Sequence, residues 1–222
     1  MANNIRKLCI VMALSAVLLL SVVLLAVSYP DIGITDEPGS ISLGLTAGDI
    51  STVPESVTEN AARLAGEMFG NSRAKYQSFF DQLLATYVSA EGKDFVVVFN
   101  PGGWGWSYPD QSEGWHSILD GIGLELSEMG YRSVVVNYRR TSDTFLGSAK
   151  EFIEATMHYP SKAEDLAQRV DFLTSNIPDL RVIVAGESNG TLIADRVMNI
   201  LQDNQQVYSI QTGTPFWHKQ VT

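Results

Sequence analysis

From Asp94 onward the chain alternates short apolar runs with helix-spaced segments, and this alternation constrains the fold more than any other feature. Phe95-Val-Val-Val-Phe99 reads as a buried strand, and the glycine-rich loop Asn100-Pro-Gly-Gly-Trp-Gly-Trp106 follows it. A helix is predicted from about Ser112 to Met129, and a second strand over Arg132–Tyr138. Lys150–Met157 has helical spacing. Ser161–Asn176 is a clearer helix, with Leu166, Val170 and Leu173 on one face. Arg181–Ala185 is a third strand, Gly190–Leu201 a helix and Val207–Gln211 a fourth strand. Apolar strands that alternate with helices predict an α/β fold, a mostly parallel sheet with helices on both faces. Ligands bind such sheets beyond the carboxyl ends of the strands. The Asn100–Trp106 loop, the turn at Ser188 and the segment after Gln211 therefore share one rim.

The third strand runs straight into Gly186-Glu-Ser-Asn-Gly190, and a helical pattern begins at once. A G-x-S-x-G motif carries meaning in that context. A serine on a sharp strand-to-helix turn has its hydroxyl pushed out above the sheet. Its flanks must be glycine because the turn packs too tightly for side chains. The backbone N–H after the serine, that of Asn189, points to where an oxyanion would form.

Four landmarks, in order, resemble the α/β-hydrolase superfamily and its esterase/lipase branch. Asn100-Pro-Gly-Gly-Trp104 resembles the H-G-G-G-W oxyanion loop. Val134-Val-Val-Asn-Tyr-Arg139 resembles the strand ending in V-x-Y-R. Tyr159-Pro-Ser-Lys-Ala-Glu-Asp-Leu166 resembles the Pro-to-Asp lead into the next helix. Gly186–Gly190 is similar to G-E-S-A-G. The resemblance covers Asp94 to about Gln211. It implies a serine nucleophile at Ser188 and oxyanion donors among Gly102, Gly103 and Trp104. Pro101 replaces a family glycine and has no N–H to give. Asn100 replaces the family histidine. Asn189 replaces a small residue, so its side chain is expected to crowd or hydrogen-bond into the site. The family places its acid after a later strand and its histidine after the last one, and the sequence ends at Thr222.

A serine hydroxyl needs a base, and a histidine base needs an acid to fix its tautomer. Of the three histidines only His218 follows Ser188, on the predicted rim, and no carboxylate lies beyond Asp203. His218 is the candidate base; the bland reading is a surface histidine beside Trp217 and Lys219. His116 and His158 read as structural or solvated. Asp110, Asp143 and Glu187 read as solvated loop carboxylates that can reach the rim. Trp104, Trp106, Tyr108 and Trp115 crowd the glycine-rich loop. They form either an apolar wall for an acyl group or the packing of the loop itself. No His/Cys/Asp/Glu cluster has metal-ligand spacing, and no cofactor is implied.

Residues 1–30 have a different character. Leu8–Tyr29 is almost unbroken apolar sequence, preceded by Arg6 and Lys7 and followed by Asp31, Asp36 and Glu37. About 20 apolar residues span a bilayer as a helix. The positive flank keeps the N-terminus cytoplasmic and sends the rest across. The chain is thus expected to be a single-pass membrane protein with an extracytoplasmic domain. The alternative is a signal peptide cleaved after Ala26-Val-Ser28, leaving a secreted or periplasmic protein. Residues 31–54 read as a linker, 55–92 as a helical lead-in of two helices broken at Gly70-Asn71, and 93–222 as the α/β domain. The single cysteine, Cys9, excludes an intrachain disulfide, and the net charge of -10 argues against nucleic acid as a partner. Oligomeric state is not legible. The expected function is a membrane-anchored serine hydrolase for an ester or lipid-like acyl substrate. The alternative is a non-catalytic binding or scaffold protein on the same fold.

Overall fold

The computed structural model describes residues 17, 40–42, 52–105, 107–108, 111–112, 114–141, 145–216 and 218. Apart from Val17, the expected anchor and its cleavage site lie outside the described residues, as do Trp106, Asp110 and Asp143. No helix among the described residues is long and apolar enough to cross a membrane.

The elements run β1 (Ser40–Ser42), α1 (Glu55–Phe69), α2 (Arg73–Ala90), β2 (Phe95–Asn100), α3 (Trp115–Glu128), β3 (Ser133–Arg139), α4 (Phe145–Thr156), α5 (Pro160–Asn176), β4 (Arg181–Glu187), α6 (Asn189–Ile200) and β5 (Val207–Thr212). The sheet order is β1-β3-β2-β4-β5. Strands β3, β2, β4 and β5 are parallel, with Phe95 beside both Ser133 and Arg181, and Val182 beside Val207. Among the described residues, an α/β fold with a four-stranded parallel sheet and six helices is therefore present.

One strand corrects the sequence reading. Ser40–Ser42, inside the segment read as linker, pairs antiparallel with the far end of β3. A three-residue strand has no room for a period. Its only apolar side chain, Ile41, is buried, and its N–H donates to Gln82 Oε1 at 2.9 Å.

The period of two along the strands divides the core. Val96, Val98, Val136, Tyr138, Val182, Val184 and Val207 face one layer, built with residues of α1, α2, α5 and α6. Phe95, Val97, Phe99, Ile183 and Ala185 face the other, where Trp115, Leu119 and Leu126 of α3 cover them. β2 is buried on both faces along its whole length, as a central parallel strand requires. Helices α1 and α2 pack into the first layer through Val57, Ala61, Leu64, Phe79 and Leu83.

β5 is the edge. Among the described residues it pairs with β4 alone. On the α3 side, Phe95, Arg181, Ile183, Tyr208 and Ile210 line an open groove. All parallel strands carry their carboxyl ends to one rim, which collects the loop after β2, the elbow after β4 and the chain leaving β5.

Candidate active site

The rim is organised by close backbone approach at two glycines. A Cβ on Gly186 would lie 2.9 Å from the Gly190 carbonyl oxygen and from the Thr191 Cα. A Cβ on Gly190 would lie 2.3 Å from the Asn100 carbonyl oxygen. The first contact lets α6 leave β4 at a sharp angle, and the second seats α6 against the end of β2. Between them Ser188 adopts φ 48° and ψ −117°. That is a left-handed conformation costing a non-glycine residue about 1–3 kcal/mol. The surroundings hold it there. The Ser188 N–H donates to the Thr212 carbonyl at 3.0 Å, and its own carbonyl accepts the N–H and hydroxyl of Thr191 at 3.0 and 2.7 Å.

The loop after β2 faces this turn. In a trans peptide the C=O and N–H point in opposite directions, so fixing one fixes the other. The Pro101 carbonyl accepts from Arg140 Nη1, and on the opposite side of that peptide the Gly102 N–H donates to Glu187 Oε2 at 3.0 Å. Ser112 Oγ donates to the same carboxylate oxygen at 3.2 Å. Gly102 is thus removed from the expected donor set because its N–H already has an acceptor. The Gly102 carbonyl accepts the Gly105 N–H at 3.1 Å, and no described residue accepts the Gly103 N–H. The Gly103 carbonyl accepts from Arg140 Nη2 at 3.0 Å and Asn189 Nδ2 at 3.3 Å. Asn189 thus ties the loop to the start of α6. Its own N–H, at the first helical position, also has no described acceptor. Gly103 and Asn189 therefore present two open N–H donors on neighbouring segments, one at a helix N-terminus that favours negative charge.

The expected aromatic wall divides. Trp115 is 2% exposed. Its ring packs on Phe99 with centroids 4.9 Å apart, and Nε1 donates to Thr212 Oγ1 at 3.1 Å. It is a core residue that ties β5 to α3 and not a surface for substrate. Trp104 is 47% exposed beside the loop. Tyr108 is half-buried under the Arg139 guanidinium, which lies 5.1 Å from its ring centroid.

His218 Nε2 lies 3.1 Å from Asp195 Oδ2, and both side chains are largely buried. Asp195 supplies the acid partner that the sequence did not reveal. It stands seven residues after Ser188, two helical turns, or about 10 Å along α6. No described residue hydrogen-bonds to the Ser188 hydroxyl. His116 pairs with Asp120 at 3.4 Å on an exposed face. His158 sits at a left-handed turn before α5, its ring centroid 6.3 Å from that of His218. No group of described residues could hold a metal ion.

Behind the rim lies a buried polar layer. Arg140 Nε donates to Glu151 Oε1 at 3.0 Å, and the Tyr159 hydroxyl donates to the same oxygen at 2.9 Å. Burial pushes the Tyr159 phenol far above its ordinary range, opposed by the Arg140 charge and reinforced by that of Glu151, so it stays a donor. Tyr138 donates to Asp165 Oδ2 at 2.8 Å, joining the landmark on β3 to the one on α5. The sequence reading missed Arg140, Glu151 and Asp195. A second arginine after Tyr138 and carboxylates within helices read as solvated charge, and only their low exposure distinguishes them.

No family model matches the chain, and neither a curated protein nor a solved structure matches it.

Proposed function

We propose that this chain is a serine hydrolase of the α/β-hydrolase type, tethered to a membrane by residues 8–29 and acting outside the cytoplasm on an ester or lipid-like acyl substrate. The strained backbone of Ser188 carries the reading. A non-glycine residue held at φ 48° between two sterically required glycines, beside two open N–H donors, suits a nucleophile elbow. The Ser188 hydroxyl attacks the acyl carbon. The Gly103 and Asn189 N–H groups take the charge that develops on the carbonyl oxygen. His218 accepts the hydroxyl proton and passes it to the leaving alcohol, while Asp195 stabilises the imidazolium. Water then hydrolyses the acyl-enzyme by the reverse sequence. Trp104 and Tyr108 offer apolar surface to the acyl group.

The test is pre-steady-state hydrolysis of p-nitrophenyl esters of short and long acyl chains. The expected result is a stoichiometric burst of p-nitrophenol that disappears in Ser188→Ala. A folded protein with neither burst nor turnover supports the second reading, a non-catalytic binding or scaffold protein. One observation favours that alternative: among the described residues, no histidine or carboxylate hydrogen-bonds the Ser188 hydroxyl.

A further inference from the structure

Arg140 is among the least exposed side chains of the molecule, and the proposed chemistry leaves it unused. Its guanidinium follows the carboxyl end of β3 and is held from behind. Glu151 of α4 accepts from Nε at 3.0 Å and lies 2.9 Å from Nη2, and the Tyr159 ring lies 5.2 Å from the guanidinium carbon. Its forward edge donates to two carbonyls of the glycine-rich loop, those of Pro101 and Gly103. The Arg140 N–H donates to a third, that of Gly105, at 2.9 Å. Gly105 has φ 76°, and a Cβ there would lie 2.6 Å from the guanidinium. The loop is therefore shaped around this side chain. Two alternate carbonyls held on one rigid fork fix the peptides on both sides of the Gly102–Gly103 unit, and with them the course of the loop.

We propose that Arg140, fixed by Glu151 and Tyr159, is the positioning residue that sets the conformation of the Asn100–Gly105 loop beside the Ser188 elbow. The proposal rests on the serine-hydrolase reading for its consequence but not for its geometry. A lysine keeps the charge but lacks the planar fork that holds both carbonyls and Glu151 in one fixed geometry. Truncating the arginine alone would leave the Glu151 charge buried without its counter-charge. The informative variants are therefore Arg140→Lys and the paired Arg140→Met/Glu151→Met.

The experiment measures two quantities on the full chain. One is amide hydrogen exchange over residues 100–105. The other is the rate of fluorophosphonate modification at Ser188, expressed per folded molecule. Arg169→Lys serves as the control for a merely structural role, since Arg169 is equally buried but pairs with Asp165 of its own helix at 3.0 Å. Both Arg140 variants are expected to exchange faster in the loop while β2 and β4 stay protected. Their modification is expected to slow about 100-fold, the scale of a donor misplaced by an ångström. Arg169→Lys is expected to lower the melting temperature without changing either quantity. Loop exchange unchanged in both Arg140 variants overturns the proposal, as does a slowing that Arg169→Lys reproduces. A wild-type protein that resists modification, with loosened loop exchange in the variants, sinks the hydrolase reading and leaves the loop-holding role standing.

Discussion

The two halves of the rim are built differently. On the side of the glycine-rich loop, backbone sterics, a buried arginine, one carboxylate-anchored peptide and the Asn189 side chain hold the loop and the start of α6 together. On the side of the proposed proton transfer, His218 and Asp195 are bonded to each other, and no described residue hydrogen-bonds the Ser188 hydroxyl. Preorganised dipoles must be in place before charge develops, because turning them during the reaction would cost the energy they return. A base can tighten onto its nucleophile only when substrate binds. The difference teaches that the proposed site is defined by its strained turn and held loop, and that the His218–Asp195 pair is the part the proposed reaction leaves to adjust.

The strongest way to break this contrast is to disturb the fixed half. Gly190→Ala places a methyl 2.3 Å from the Asn100 carbonyl, backbone against backbone. It is expected to destabilise the fold by about 1–3 kcal/mol in a denaturant titration and to abolish the ester burst. A stable variant that keeps its burst would show that α6 need not sit against β2.

The adjustable half is tested next. His218→Ala and Asp195→Asn are each expected to slow the burst by about 100- to 10,000-fold, the range of general base catalysis, with little loss of stability. Equal slowing in the two variants and in their double mutant would mark them as one unit. An unaffected burst would assign the proton to another group.

Strain at Ser188 gives a smaller effect. Glycine accepts positive φ without penalty, so Ser188→Gly should be more stable than Ser188→Ala by about 1 kcal/mol. Calorimetry of the two variants measures it, and equal stabilities would mean that the turn is unstrained.

The smallest effect lies behind the rim. Burial raises the Glu154 carboxyl above its usual range, with the Ser161 hydrogen bond and the Lys162 charge pulling the other way and the Glu151 charge adding to the rise. A folded-state value above the unfolded one means that the native state holds more protons between the two. Stability therefore falls as pH rises from the ordinary carboxylate range through the folded value. Glu154→Gln should flatten that slope in unfolding titrations between acidic and neutral pH, and an unchanged slope would assign it to other groups.

Much of this was legible in the sequence. Strands β2 to β5, their helices and the order of the rim follow from apolar runs, because a strand buried on two faces has no polar position to hide. The glycines of the elbow are visible because their spacing around Ser188 is a steric requirement. β1 was not visible, since Ser40–Ser42 has a single apolar residue and is recruited by the edge of β3. Glu187 read as a solvated carboxylate but anchors the Gly102 N–H. Trp115 read as either substrate wall or packing, because position alone cannot tell a ring facing the rim from one turned into the core against Phe99. Arg140 and Asp195 are tertiary facts: each owes its role to residues on other elements.

The most direct measurement is the site and stoichiometry of fluorophosphonate modification, read by intact mass and then by peptide mapping of wild type and Ser188→Ala. One adduct per chain on the peptide containing Ser188, absent from the alanine variant, is the expected result. A folded wild-type chain that stays unmodified, or an adduct that survives Ser188→Ala, would contradict the assignment of Ser188 as a nucleophile.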